Sequence, residues 1–213
     1  MLGIALGITA LITVLSVMNG FQQELRGRIL AMTAHATISR WNGLMNDWQM
    51  VRDQAQRNPQ VQGGAPYIRG EAMLNNVSLV SGALIQGILP AEEQQVSDIG
   101  SKMVQGSLDE LRPGRFGIVL GKELANALGV RVGDKVTVIT PQANVTPAGV
   151  LPRLKRFDVV GLFKAGMYEY DRGLALVHVA DAGKLFQLPD GAVSGVRLRL
   201  HDLFQAPRLA REL

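Results

Sequence analysis

The hydrophobic pattern changes character three times along the chain. From Met1 to Phe21 (MLGIALGITALITVLSVMNGF) no side chain is charged, and the apolar run from Leu2 to Met18 is close to the shortest that spans a bilayer as a helix. A secretory signal peptide needs a basic leading region and a small-residue cleavage site, yet the first basic residue is Arg26. A buried core helix has no need of so long an uncharged run. The pattern therefore predicts part of a membrane helix over 1–20, with Gly3 and Gly7 as a small-xxx-small pair on it. From Phe21 the pattern turns amphipathic. Phe21, Leu25, Ile29 and Met32 share a stripe while Gln22, Glu24, Arg26 and Arg28 lie elsewhere, so 21–34 reads as a helical extension into water.

Beyond residue 34 the periodicity alternates between that of strands and that of short helices. Ala36 to Trp41 predicts a strand and Asn46 to Asn58 a helix closed by Pro59. Val61 to Ile68 and Glu71 to Val80 read as extended, with Asn75-Asn76 a turn or bulge, and Leu84 to Leu89 as a strand ending at Pro90. This strand, helix, strand, strand order predicts an α+β layer in which helices cover one face of a mostly antiparallel sheet. A β-rich unit follows. Gly117 to Gly121 is a strand, Lys122 to Leu128 a short helix, and Gly129 to Asp134 a turn feeding the strand Lys135 to Thr140. Phe157 to Phe163 and Gly173 to Val179 are further strands, and Asp181 to Leu188 is a helix. In Val193 to Leu200, Val196, Leu198 and Leu200 alternate with Arg197 and Arg199, the pattern of a half-buried strand. The last residues, Asp202 to Leu213, read as a helix after Pro207 without a stop signal, as if the chain were part of a longer protein.

One segment fits neither period. Pro141 to Arg156 (PQANVTPAGVLPRLKR) carries Pro141, Pro147 and Pro152, and proline cannot donate to a sheet ladder, so the segment reads as a loop. Long loops in compact domains are usually functional or disordered, and Val150, Leu151 and Leu154 are side chains that a solvated linker does not need. Two readings stay level on the residues alone: an anchor folded back on the domain, or a partner-binding segment.

Composition narrows the function by exclusion. The chain has 213 residues, 47% hydrophobic and 19% charged, enough to bury a core and too hydrophobic for disorder. Its net charge of +4 comes from scattered basic residues without aromatic clustering, which argues against nucleic acid. With no cysteine there is no disulfide, thiolate metal site or cysteine nucleophile. Gly117 to Glu123 (GIVLGKE) lacks the spacing and the Ser or Thr of a phosphate-binding loop, so ATP hydrolysis is not expected on this chain. His35, His178 and His201 are far apart without metal-ligand spacing, and no serine sits in a GxSxG elbow. No catalytic residue, metal site or cofactor is assigned. Gly166 to Gly173 (GMYEYDRG) reads as a solvated turn between strands, and Trp41 and Trp48 as core or boundary residues.

Gly3 to Phe21 running into Glu24 to Leu30 (ELRGRIL), together with Gly121 to Asp134 (GKELANALGVRVGD), the Phe157 to Phe163 strand and Val193 to Leu200, resembles the LolC/LolE family of lipoprotein-releasing ABC transporter permeases. The resemblance implies a MacB-like periplasmic domain between two membrane helices. It places a βαβ porter-like subdomain at 35–112, a small β-rich subdomain at 113–190, and at 191–213 a return of Val193 to Leu200 to the first sheet. It also implies the partners: a LolA-type periplasmic lipoprotein chaperone, a LolD-type cytoplasmic ATPase, a second permease subunit and the lipoprotein substrate. The localisation implied is the bacterial inner membrane, with most of the chain in the periplasm. In the LolC type a proline-containing hook captures the chaperone, and Thr146, Pro147, Gly149, Val150, Leu151 and Pro152 look like that hook within the loop 141–156. Proline-fixed backbone loses less entropy on docking, Val150 and Leu151 would supply apolar contact, and Arg153, Lys155 and Arg156 would steer an acidic partner. The departure is in the basic residues after Pro152, whose arrangement differs from that of the family. The competing readings are a MacB-like efflux or FtsX-like permease domain meeting another periplasmic protein, a membrane-anchored enzyme, and a soluble module with a cleaved leader.

Overall fold

The computed structural model describes residues 2–32, 35–41, 43–77, 79–146 and 149–202, with backbone alone described at 2, 4, 5, 23–32, 142–146 and 149–151. The helix α1 (Leu2–Met32) runs unbroken through the uncharged stretch and its amphipathic continuation. From Leu6 to Gln22 every residue is exposed, and apolar side chains from Leu6 to Phe21 stand 50–67% exposed. Among the described residues no helix is long and apolar enough to cross a membrane. The expected helix after Pro207 lies outside the described residues.

The body follows as β1 (Ala36–Ile38), α2 (Trp48–Gln56), β2 (Val61–Asn76), β3 (Leu79–Ile88), α3 (Pro90–Val96), β4 (Met103–Gly106), β5 (Gly117–Gly121), α4 (Lys122–Leu128), β6 (Lys135–Thr146), β7 (Gly149–Phe163), α5 (Tyr168–Gly173), β8 (Leu174–His178), α6 (Val179–Phe186) and β9 (Gly195–Leu200). The two extended segments read at 61–68 and 71–80 are one strand and the start of the next. Their turn falls just after Asn75-Asn76, with Val77 at a φ of 54°. Helix α4 matches its expected bounds and stops at Gly129, whose φ of 63° takes the left-handed C-cap that glycine adopts without penalty.

Among the described residues the strands form one sheet in the order β1-β9-β2-β3-β8-β5-β7-β4, with β6 pairing both β2 and β7. The pairings β2–β3, β3–β8, β8–β5, β5–β7, β7–β6 and β6–β2 therefore close a ring. Closure removes free edges that would otherwise template association. Strands β5 and β8 are buried on both faces: Ile118, Leu120, Ala175 and Val177 join the main core, while Val119, Leu174 and Leu176 join a second cluster with Ile99, Leu108 and Leu111. That explains why both strands read as continuous apolar runs.

Strand β9 lies between β1 and the first half of β2. Its Val196, Leu198 and Leu200 pack with Trp48, Val51 and Ala55 of α2. On its other face Arg197 pairs with Glu93 of α3 and Arg199 with Asp98 at 2.9 Å. Helices thus cover both faces of this part of the sheet, a correction to the one-face layer expected from the sequence. The pattern misled because the second face is buried by an ion pair: Arg197 is 7% and Glu93 1% exposed, and Glu93 also accepts from Ser97 Oγ at 2.5 Å. A buried charge is retained only with such a partner.

Candidate functional site

The segment 141–156 is not an irregular loop but lies within a long antiparallel hairpin, its last four residues paired with the inner half. Strands β6 and β7 pair from Lys135↔Asp158 to Thr146↔Gly149, with one register slip between Thr140 and Ala143. Prolines fit this ladder because of where they fall. Pro141 sits in the slip, and Pro152 lies where β6 is the only strand beside β7, since β5 joins β7 at Asp158 and β4 at Gly161. Pro147 lies outside the described residues. Ala143↔Pro152, Asn144↔Leu151, Val145↔Val150 and Thr146↔Gly149 bring both arms of the expected hook together at the tip end.

The inner half is held by burial, with Val136, Val138, Thr140, Phe157 and Val159 each at most 1% exposed. Toward the tip, Leu154 is 61% exposed, and Lys155 and Arg156 are exposed. The basic residues divide by strand alternation. Arg153 and Lys155 face α6 and the Phe116 turn, whereas Arg156 falls on the other face with Leu154. With the Gln187 amide oxygen turned toward it, Arg153 donates to that oxygen from both Nη atoms at 3.0 and 2.6 Å, and Nη1 lies 3.5 Å from Leu185 O. Lys155 Nζ sits 3.8 Å from the Phe116 ring centroid, and that ring meets Phe157 edge-on at 5.5 Å. Together with Lys184 these groups line a hollow of about 200 Å³. On the opposite side of the hairpin base, Pro141 and Pro152 wall an open apolar groove of about 730 Å³ over Ala72, Met73, Gly82 and Leu84.

Residues outside the hairpin with tempting chemistry are occupied by the fold. Leu200 N–H donates to His35 Nδ1 at 3.1 Å. The ring of His178 caps α6 by accepting from Ala180 N–H at 3.2 Å, and burial pushes its pKa below the usual imidazole value, opposed by nearby Asp181. Among the described residues no group of His, Cys, Asp or Glu is placed to hold a metal ion. The segment 166–173 is corrected from a solvated turn to the short helix α5. Its Asp171 is 4% exposed and accepts from the Ala165 and Gly166 N–H groups at 2.6 and 3.1 Å. Trp41 is likewise corrected: it is fully exposed, while Trp48 packs on the core.

Three residues that shape the site were missed from the sequence. Asp181, fully buried in α6, accepts from Gly114 N–H at 2.7 Å and Phe116 N–H at 3.0 Å, and so fixes the ring beneath Lys155. Gln187 ends α6 with a φ of 52°. Phe116, at a φ of 51°, reads in the sequence only as an apolar residue before a strand. The adjacent glycines Gly114 and Gly117 were the available signal that a tight turn stands there.

Comparison with known proteins adds the family. The chain is 50% identical over 211 residues to the lipoprotein-releasing system transmembrane protein LolC of Neisseria meningitidis serogroup B, covering 99% of this chain and 51% of that protein. It is also 50% identical over 212 residues to the LolC protein of Xylella fastidiosa, covering 100% of this chain and 51% of that one. The chain thus spans about half the length of the curated relatives it matches. The fold is that of the periplasmic region of MacB from Actinobacillus actinomycetemcomitans, with a TM-score of 0.51 at 13% identity over 82% of this chain and 73% of that one. The model of the MacB-like periplasmic core domain matches residues 1–213, and the chain belongs to that family.

Proposed function

We propose that this chain is the periplasmic portion of a permease subunit of a lipoprotein-releasing ABC transporter, and that the β6–β7 hairpin receives the periplasmic chaperone to which lipoproteins are handed. The observation that carries the reading is the hairpin itself. Two strands clamped in a closed ring extend past their last other strand neighbour and bring Thr146, Gly149, Val150, Leu151 and Pro152 together at the tip end; Pro147 belongs to the same hook by sequence. The relatives' names support a role in lipoprotein release, and their LolC type favours the hook reading. An arm already held as a ladder loses little backbone entropy on docking.

The remaining assignments follow. Helix α1 anchors the chain in the bacterial inner membrane, since an apolar helix exposed all round is stable only where lipid or other helices cover it. The subunit is non-catalytic, a LolD-type cytoplasmic subunit hydrolyses ATP, and a second permease subunit completes the assembly around the lipoprotein. The β-rich and porter-like parts, 113–190 and 35–112 with 191–213, form the periplasmic body that carries the hairpin.

Site-specific photo-crosslinking from Val150 or Leu151 to a LolA-type chaperone tests the reading, with exposed Gln56 as control. Crosslinks from the hairpin and none from Gln56 are expected. Absence of a hairpin crosslink in the folded chain would move the reading to an efflux-type permease domain whose partner docks elsewhere.

A further inference from the structure

We propose that Arg153 and Lys155 are positioning residues: they fasten the root of the hairpin's outer arm to α6, so that α6 rather than the partner sets the direction in which the arm leaves the body. The proposal rests on the reading of the hairpin as a partner-receiving arm only for its functional consequence; the fastening itself stands on geometry.

Past the slip between Thr140 and Ala143, β7 has β6 as its one neighbouring strand among the described residues, and Arg153 and Lys155 stand at the root of that ribbon, opposite Thr140 and Val138. A two-stranded ribbon of that kind can pivot about its root unless something outside the ladder holds it. Both alternate basic residues on the inner face of β7 provide such a hold, and both lead to α6. The Arg153 guanidinium grips the last turn of α6 through the Gln187 amide and the Leu185 carbonyl. This is the carbonyl end of the helix, where a cation is favoured. The Gln187 position is itself fixed, because Leu188 N–H donates to Gly183 O at 2.9 Å across the C-cap. Lys155 rests on Phe116, whose backbone N–H is held by Asp181 of the same helix. Helix α6 in turn packs on β2 and β3, the strands that run through the ring. The root of the arm is therefore tied at two points to one helix. Leu154 and Arg156, on the opposite face, remain free for contact.

Hydrogen exchange followed by mass spectrometry on the membrane-reconstituted chain tests the fastening without any partner. Arg153→Ala and Gln187→Ala are each expected to speed exchange of the amides in 143–152 by about tenfold or more, as loss of one hydrogen bond to a charged group would. The double variant should add little to either, because one interaction is removed twice. Arg153→Lys should not rescue, since lysine lacks the planar fork. Arg156→Ala should leave exchange unchanged. Unaltered exchange in Arg153→Ala, or an equal effect from Arg156→Ala, would overturn the proposal.

A second arm separates positioning from contact. The chain has no cysteine, so Arg153→Cys with Gln187→Cys can be joined uniquely by a short bis-maleimide. Recovered crosslinking from Leu151 to the chaperone supports positioning. Restored protection without recovered crosslinking means that Arg153 touches the partner, and the proposal fails. If the unsubstituted chain gives no crosslink while the exchange pattern holds, the partner reading falls and the fastening stands.

Discussion

The inner and outer halves of the β6–β7 hairpin are made by the same two strands and held by different physics. Between Lys135 and Thr140 the strand β6 pairs with β7, and with β2 on its other side from Thr137 to Ile139, and its alternate residues Val136, Val138 and Thr140 are buried. Hydrophobic burial fixes that half, and any loss there is felt by the whole ring. Beyond Ala143 the ladder continues with no third strand among the described residues, and Pro152 is exposed, as is Leu154 at the root of the arm. Cross-strand pairing shapes this half, and the ties to α6 hold its root. A rigid mount thus carries an arm whose surface can change without unfolding the body.

The largest expected effect comes from breaking the mount. Phe157 is fully buried and stacks edge-on with Phe116, so Phe157→Ala is expected to remove about 3–5 kcal/mol from urea unfolding measured in mild detergent. A loss no larger than that of an arm variant would erase the distinction between the halves. Next comes a change in the body far from the hairpin. Glu93→Ala leaves Arg197 buried without its counter-charge, with about 3 kcal/mol lost. Replacing both partners with apolar residues of matching volume should restore most of it, and amide exchange in the arm should stay unchanged throughout.

Asp181→Ala addresses the joint between the halves. It strands the Gly114 and Phe116 N–H groups, so a loss of about 2 kcal/mol is expected. Because Phe116 then loses its anchor, exchange in the arm should rise as well, unlike in Glu93→Ala. A smaller effect comes from His178 at the start of the same helix. Burial lowers its pKa in the folded chain, Asp181 opposing, so protonation favours the unfolded state. Its contribution is present above the unfolded value of about 6.5 and is lost as pH falls from there through the folded pKa. In His178→Asn, which keeps an N-cap acceptor, the stability difference between pH 7 and pH 5 should shrink. An unchanged difference would place the titration elsewhere.

The same contrast explains what could be read from sequence. Where one face of an element is buried, periodicity located it: α4 and β5 lie within the expected bounds, and β6 starts where its alternation begins. The outer hairpin was hidden because proline is a strand breaker only where a ladder needs its donor, and sequence does not reveal which edges lack neighbours. The length of the segment was itself a warning, since a long loop without structure is rare in a compact domain. Burial by pairing across distant sequence is equally silent: Arg197 reads as a solvent-facing residue until Glu93 arrives from α3. At the site, Val150, Leu151 and Pro152 were visible as apolar and proline residues out of place. Gln187 and Asp181 carry no local signal, because their roles depend on a turn and a strand brought to α6 by the fold.

The smallest stability effect is expected at the exposed root of the arm, where the functional effect is largest. Leu154 is 61% exposed on the face away from α6, and the fold gives its isobutyl group little cover. Leu154→Ser should therefore stay within about 0.5 kcal/mol of the unsubstituted chain in urea unfolding, the usual range for a surface change. Burial of that side chain against an apolar partner would instead register as weaker capture, read as a lower crosslink yield from Leu151 to the chaperone at fixed concentration. A destabilisation above about 1 kcal/mol would show that Leu154 packs within the chain. The outer half would then belong to the core, and the contrast with the inner half would disappear.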